Sequence, residues 1–234
     1  MSTAPHYDES SRCRGFRICG AASLPASAGC VPRKGLIDVS SFRVLMICTA
    51  NYCRSPIAEQ LLAAGIRTRF GADFTWIVQS AGTDAWVTRP IHGFSAQVLA
   101  ERGALVDGHQ SRELDVAMIR DADLILTAAR EHRSAVVKML PAAIGRTFTM
   151  LQFARLAAAV EPIISDDAGE LGRRLLVEAK AARSMLQPVA PESDDLPDPM
   201  GGPLQGFEAC AVALDAVVQT ILRPLQFTTP VARS

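Results

Sequence analysis

The sequence predicts an α/β fold: a three-layer sandwich around a mostly parallel, four-stranded sheet. Three observations carry that expectation. Short apolar runs alternate with helical patterns along the chain, the order that builds parallel sheets. The run Phe42-Arg43-Val44-Leu45-Met46-Ile47 is almost uniformly apolar, as strands covered on both faces are. It leads into a polar loop and then a helical pattern, the unit from which such sheets are wound.

Taken in order, residues 1–40 are rich in Ser, Ala, Arg, Gly and Pro without a period, and read as a disordered N-terminal extension. The domain is expected over 41–223. After the first strand, Pro56 to Phe70 reads as a helix, with Ser55 as its cap, Pro56 in its first turn, and Ile57, Leu61, Leu62 and Ile66 as its apolar stripe. Trp76-Ile77-Val78 is a second strand ending at Ser80-Ala81-Gly82-Thr83. His92 to Arg102 is a helix stopped near Gly103, and Val116 to Arg120 is a short helix. Asp123 to Thr127 is a third strand, and Glu131 to Leu140 a helix ended by Pro141. Arg146 to Met150 is a fourth strand or the approach to a helix over Leu151 to Val160. Leu171 to Leu186 is a helix with Arg and Lys on one side, read as part of an insertion around 155–195. An acidic, Pro-rich loop (Pro188 to Pro199) precedes a last amphipathic helix, Phe207 to Leu222. Residues 224–234 read as a patternless tail.

Composition sets outer limits. The chain has 234 residues, 49% of them apolar and 21% charged, which excludes wholesale disorder. Its 24 basic and 24 acidic residues cancel, so no overall field draws it to nucleic acid or to an anionic membrane. No uninterrupted apolar run spans a bilayer: the best candidate, Ala209 to Val218, is broken by Asp215. The first thirty residues lack the apolar core of an export signal. Six cysteines are too few for a disulfide scaffold, and no C-x-x-C pair is present to suggest a zinc ribbon. The expectation is a reduced, cytoplasmic protein without a metal or other cofactor.

The chemistry is concentrated at Cys48-Thr49-Ala50-Asn51-Tyr52-Cys53-Arg54-Ser55. In open α/β sheets ligands gather at the carboxyl ends of the strands, where a following helix aims its N–H groups and positive dipole end. A loop there can wrap an anion with successive backbone N–H groups. A thiol in that field is biased toward the nucleophilic thiolate. Arg54 adds a planar fork that matches two oxygens of a tetrahedral oxyanion. The loop lacks the G-x-x-x-x-G-K-[ST] of nucleotide-binding P-loops and the G-x-S-x-G of serine hydrolases.

The stretch Val44 to Glu59 resembles the active-site signature of the low-molecular-weight protein tyrosine phosphatases. Further matches follow in that family's order: Ser80 to Thr83 with Trp86, His109 to Leu114, Asp123 to Leu126, and Asp198-Pro199 ahead of the final helix. The likeness covers roughly Phe42 to Leu222. The stretch Phe148 to Leu156 resembles longer, actinobacterial members. What the resemblance implies is a phosphotyrosine protein phosphatase that hydrolyses aryl phosphate monoesters through a phosphocysteine intermediate. Cys48 would be the nucleophile, Arg54 the phosphoryl ligand and Asp198 the general acid and later base. Thr49, Ala50, Asn51, Tyr52, Cys53 and Ser55 would form the substrate cradle, with Trp86 at its rim or in the core. Ser55 would hydrogen-bond the thiolate, Asn51 would hold the loop's shape, and Cys53 could protect Cys48 through a reversible disulfide. The resemblance also points to phosphotyrosine proteins and a cognate tyrosine kinase as partners.

Departures from the family pattern are visible. Ala50 stands where Gly is usual, which would strain a positive φ. Met200 follows Asp-Pro where Tyr is frequent, and Tyr52 occupies a position that is often aliphatic. Two other functions are therefore carried: a thioredoxin-coupled arsenate reductase, and a phosphate binder impaired by Ala50 or Met200. Between Gly82 and Asp121 the chain lacks the extra cysteines a reductase would use. His109 and His132 are expected to be structural or surface residues. Cys13, Cys19 and Cys30 are incidental, and Arg173, Arg174, Lys180 and Arg183 form a solvated helix face.

Overall fold

The computed structural model describes residues 41–228, apart from 105 and 107; the extension expected at 1–40 and the last six residues lie outside the described part. Strands β1 (Phe42–Cys48), β2 (Trp76–Gly82), β3 (Leu124–Thr127) and β4 (Thr147–Thr149) form one sheet in the order β2-β1-β3-β4. Every neighbouring pair is parallel, so the expected α/β class and four-stranded sheet are present. β1 is central. Its alternate side chains feed two cores: Phe42, Val44 and Met46 on one face, Leu45 and Ile47 on the other.

The helices that cover the larger core are α1 (Arg54–Phe70), α5 (Met150–Ala158), α6 (Ala168–Ala182) and α7 (Leu204–Leu222). α2 (Gly93–Ala100) packs beside α1 and α7. α3 (Val116–Asp121) and α4 (Arg130–Met139) lie over the smaller core. Expected and observed boundaries agree within a few residues. The stripe Ile57, Leu61, Leu62 and Ile66 is buried as its spacing requires.

Three readings need correction, and the last helix bears out its amphipathic pattern. Ser55 does not cap α1. The helix begins two residues earlier, at Arg54, its N-cap is Cys53 and no side chain caps it, because the Ser55 hydroxyl is engaged elsewhere. The residues after Pro224 are not patternless: β6 (Leu225–Phe227) pairs in parallel with β5 (Ile163–Ser165), a second, two-stranded sheet. Three-residue strands carry too little alternation to be seen in a sequence. α6 is not an appendage: Leu171, Leu175 and Ala179 are fully buried in the main core, and a Cβ on Gly172 would overlap the Phe42 ring. Finally, α7 is by length and mean hydropathy (1.2) able to cross a bilayer. Its apolar face, including Phe207, Leu214, Val218 and Ile221, is instead buried against α1 and α5.

Candidate active site

The loop from Cys48 to Cys53 leaves the carboxyl end of the central strand and enters α1. Its carbonyls are drawn outward. Those of Cys48, Thr49 and Ala50 accept from the backbone N–H groups of Thr83 (3.0 Å), Asp84 (3.0 Å) and Trp86 (3.3 Å), and that of Tyr52 from His92 (3.0 Å). The Asn51 carbonyl meets His109 Nε2 (3.1 Å) and Ser111 Oγ (2.7 Å). Because a peptide is planar and trans, fixing the carbonyls outward turns the N–H groups toward the space in front of Cys48. The uncapped N-terminus of α1 faces the same space, so N–H groups and helix dipole together make an anion cradle.

Asn51 holds the loop's bend. It has φ 52°, a left-handed conformation that Asn tolerates better than most residues. Asn51 and Thr88 are the non-glycine residues with positive φ among those described, so Ala50 escapes the strain its departure from Gly would otherwise imply. Fully buried, Asn51 donates from Nδ2 to Ser55 Oγ (3.0 Å) and Ser80 Oγ (2.8 Å), while its Oδ1 accepts from Arg112 N (3.0 Å). Ser80 passes its own proton to Glu59 Oε2 (2.5 Å). Ser55 Oγ, already accepting from Asn51, is left free to donate to Cys48 Sγ, 3.0 Å away.

Arg54 is buried in the first turn of α1. Its Nη1 donates to the Leu196 carbonyl (3.4 Å), and Nη2 donates to Thr49 Oγ1 (3.3 Å) and Asp198 Oδ2 (2.5 Å). Three aspartates in the Pro-rich loop compete for a role, and their partners separate them. Asp194 pairs with Arg155 (2.5 Å) and Asp195 with Arg130 (2.7 Å), whose guanidinium holds the Asp195 carboxyl below its ordinary range. Asp198 alone of the three meets Arg54, with its side chain 44% exposed at the site's mouth. The backbone N–H of Met200 steadies its Oδ1 at 3.1 Å.

The rim is aromatic. Trp86, 49% exposed, has its ring 5.3 Å from that of Tyr52, which in turn meets the His92 ring edge-on at 5.2 Å. Trp86 is thus rim rather than core. Cys53 is buried beneath, its Sγ 3.2 Å from Met200 Sδ, and burial pushes its thiol up to about 12. Burial does the same to Cys210, on the inner face of α7. Cys48, Cys53 and Cys210 are all free thiols.

Sequence reasoning named Cys48, Thr49, Asn51, Arg54, Ser55 and Asp198, and the fold brings them together. It left the supports without assigned partners, and of the two histidines read as structural or surface both are structural. His109 touches the loop's backbone, and His132, 2% exposed, touches Thr49, so neither is a surface residue. Ser80, Glu59 and Arg112 were not singled out. Gly82 was read only as a strand end, yet a Cβ there would strike the Thr49 carbonyl and come within 2.9 Å of Asn51 N. The one available signal was position: the ends of neighbouring parallel strands converge on one edge.

A thiol, a guanidinium and a carboxylate around an N–H-lined cradle define an α/β protein equipped to handle phosphoryl groups. A sequence model of the "Low molecular weight phosphotyrosine protein phosphatase" family matches residues 43–167. Etp of Escherichia coli K12, a low molecular weight protein-tyrosine-phosphatase, is 35% identical over 113 residues, 47% of this chain and 70% of that one. A protein-arginine-phosphatase of Geobacillus stearothermophilus is 26% identical over 185 residues, 79% of this chain and 97% of that one. The structure of the low molecular weight protein tyrosine phosphatase of T. tengcongensis superposes with a TM-score of 0.57 at 26% identity, covering 78% of this chain and 98% of that one. The chain belongs to the low molecular weight phosphotyrosine protein phosphatase family, hydrolases of phosphoric monoesters.

Proposed function

We propose that this chain dephosphorylates phosphotyrosine in proteins, with Cys48 attacking phosphorus and carrying the phosphoryl group as a phosphocysteine. The observation that carries the reading is the convergence of Cys48, Ser55, Arg54 and Asp198 on one cradle. The Arg54–Asp198 contact supplies the order of events. A phosphate monoester brings two oxygens to the guanidinium and displaces the carboxylate, since Arg forks bind such oxyanions bidentately. Displaced but still at the mouth, Asp198 is placed to protonate the leaving tyrosyl oxygen and then to take a proton from the attacking water. Ser55 stabilises the sulfur when it is again the leaving group, and the inward N–H groups with Arg54 carry the equatorial charge.

Tyr52 and Trp86 form a wall suited to a phenyl ring, which favours an aryl phosphate. Phosphoarginine is the second reading, because the relative that aligns over most of the chain is named for it. The setting we propose is cytoplasmic, with the substrate supplied by a tyrosine kinase. The test is hydrolysis of p-nitrophenyl phosphate at mildly acid pH without added metal, then of phosphotyrosine and phosphoarginine peptides. Cys48→Ser is expected to abolish turnover, and Asp198→Ala to lower kcat about 10²–10⁴-fold. Turnover that survives Cys48→Ser would sink the mechanism. Faster release from phosphoarginine would move the substrate, and phosphate binding without turnover would mark an impaired relative. Arsenate-dependent thiol consumption would mark a reductase.

A further inference from the structure

We infer that His132 is a positioning residue of the oxyanion cradle, acting through the Thr49 hydroxyl to fix the Arg54 guanidinium and so to set how tightly a phosphoryl group is held. The inference deepens the phosphatase reading and rests on its cradle. His132 lies in the first turn of α4, beyond the carboxyl end of β3, and is 2% exposed. Its Nδ1 accepts from the backbone N–H of Ala129, the residue that caps α4, at 3.1 Å. A nitrogen that accepts carries no proton, so the neutral ring's proton is on Nε2. Nε2 is 2.9 Å from Thr49 Oγ1 and therefore donates to it. Arg54 Nη2 donates to the same oxygen at 3.3 Å.

Both acceptor positions of the Thr49 hydroxyl are then filled, and its own hydrogen remains to be donated. Arg54 Nη2 is shared between Thr49 Oγ1 and Asp198 Oδ2. A phosphoryl oxygen that displaces Oδ2 arrives within reach of that hydroxyl. The chain Ala129–His132–Thr49–Arg54 thus ties the guanidinium to the end of a neighbouring strand, beside its contacts to Leu196 and Asp198 in the Pro-rich loop. Burial, together with the Arg54 charge, keeps His132 below its ordinary value and so neutral, while Glu131, Asp198 and Asp195 pull the other way. Glu131 Oε1 lies 3.5 Å from Nε2, but on a side chain 74% exposed, where it competes weakly with the buried hydroxyl.

The plain alternative is a buried histidine that merely caps α4. A cap affects stability; a positioning residue affects the anion. The test uses the full chain and inorganic phosphate as probe, by titration calorimetry and by competitive inhibition of p-nitrophenyl phosphate hydrolysis. Thr49→Val and His132→Ala should each weaken phosphate about tenfold, and the double variant should be no weaker than the worse single one. His132→Gln, which can still present a donor to Thr49, should stay within about twofold of wild type. Melting curves on each variant separate folding from binding. A His132→Ala protein that melts lower yet binds phosphate as wild type does would make the residue a cap and overturn the inference, as would losses that add in the double variant. If His132→Ala does not fold, unaltered binding by Thr49→Val overturns it equally. A wild type that binds phosphate but releases none from aryl esters would sink the phosphatase reading and leave this coupling standing. A wild type that binds no phosphate would sink both.

Discussion

Asn51 shows how much one residue can carry. It supplies the left-handed turn, two side-chain donations and one acceptance, all in a fully buried place. Its type and its neighbours Cys48, Arg54 and Ser55 were legible, because a thiol and an arginine with five residues between them, at a strand end, have few other uses. Its partners Ser80 and Arg112 were not legible, because nothing local in the sequence says which strand end will face the loop. His132 was read as structural or surface, and its partner was hidden for the same reason: its bond to Thr49 spans 83 positions. The histidine has a consequence for pH. Its folded value lies below 6.5, so between that lowered value and about 6.5 the unfolded chain binds more protons than the folded one. Stability is therefore expected to fall as pH drops below about 6.5, and to fall less steeply in His132→Gln. Urea midpoints from pH 5 to 8 check this; equal slopes in the two proteins would contradict it.

At the scale of elements, the close approach of β2 to the loop decides the geometry. β2 was expected to start at Trp76 and end at Ser80 to Thr83; it ends at Gly82, and its last residues are the ones that touch the site. With backbone on the far side, a side chain at position 82 has nowhere to go. Gly82→Ala should push the Thr49–Asn51 backbone away, costing about 1–3 kcal/mol in stability and lowering kcat/KM by more than that loss alone would. Denaturation and kinetics on the same preparation test it; wild-type kcat/KM would show that the loop tolerates the displacement.

The whole molecule is organised so that distant segments finish one another. The alternating order of strands and helices was readable from the chain, and with it the parallel sheet. The second sheet was not, because β5 and β6 are three residues each and meaningful only as a pair. It ties the chain after α7 to the segment between α5 and α6: Ile163 N–H bonds the Pro224 carbonyl at 2.8 Å, and Leu225 is fully buried. Arg69 at the end of α1 also reaches the Leu225 carbonyl, at 3.4 Å. A chain ended after Arg223 loses these and should melt about 5–10 °C lower, from a loss of roughly 2–3 kcal/mol. A melting point unchanged by the truncation would show that β6 adds nothing to the fold.

The ion pair between Arg54 and Asp198 joins residues 144 positions apart. On a ribosome adding roughly 5–20 residues per second, that distance is about 7 to 30 s of synthesis. For that interval the nascent chain carries its thiol and guanidinium without the acid, and without the Met200 side chain that later meets Cys53. The acid is thus among the last of the site's groups to be made. Cys48 and Cys53 pass through an unguarded period that ends only when the segment carrying Asp198 and Met200 arrives.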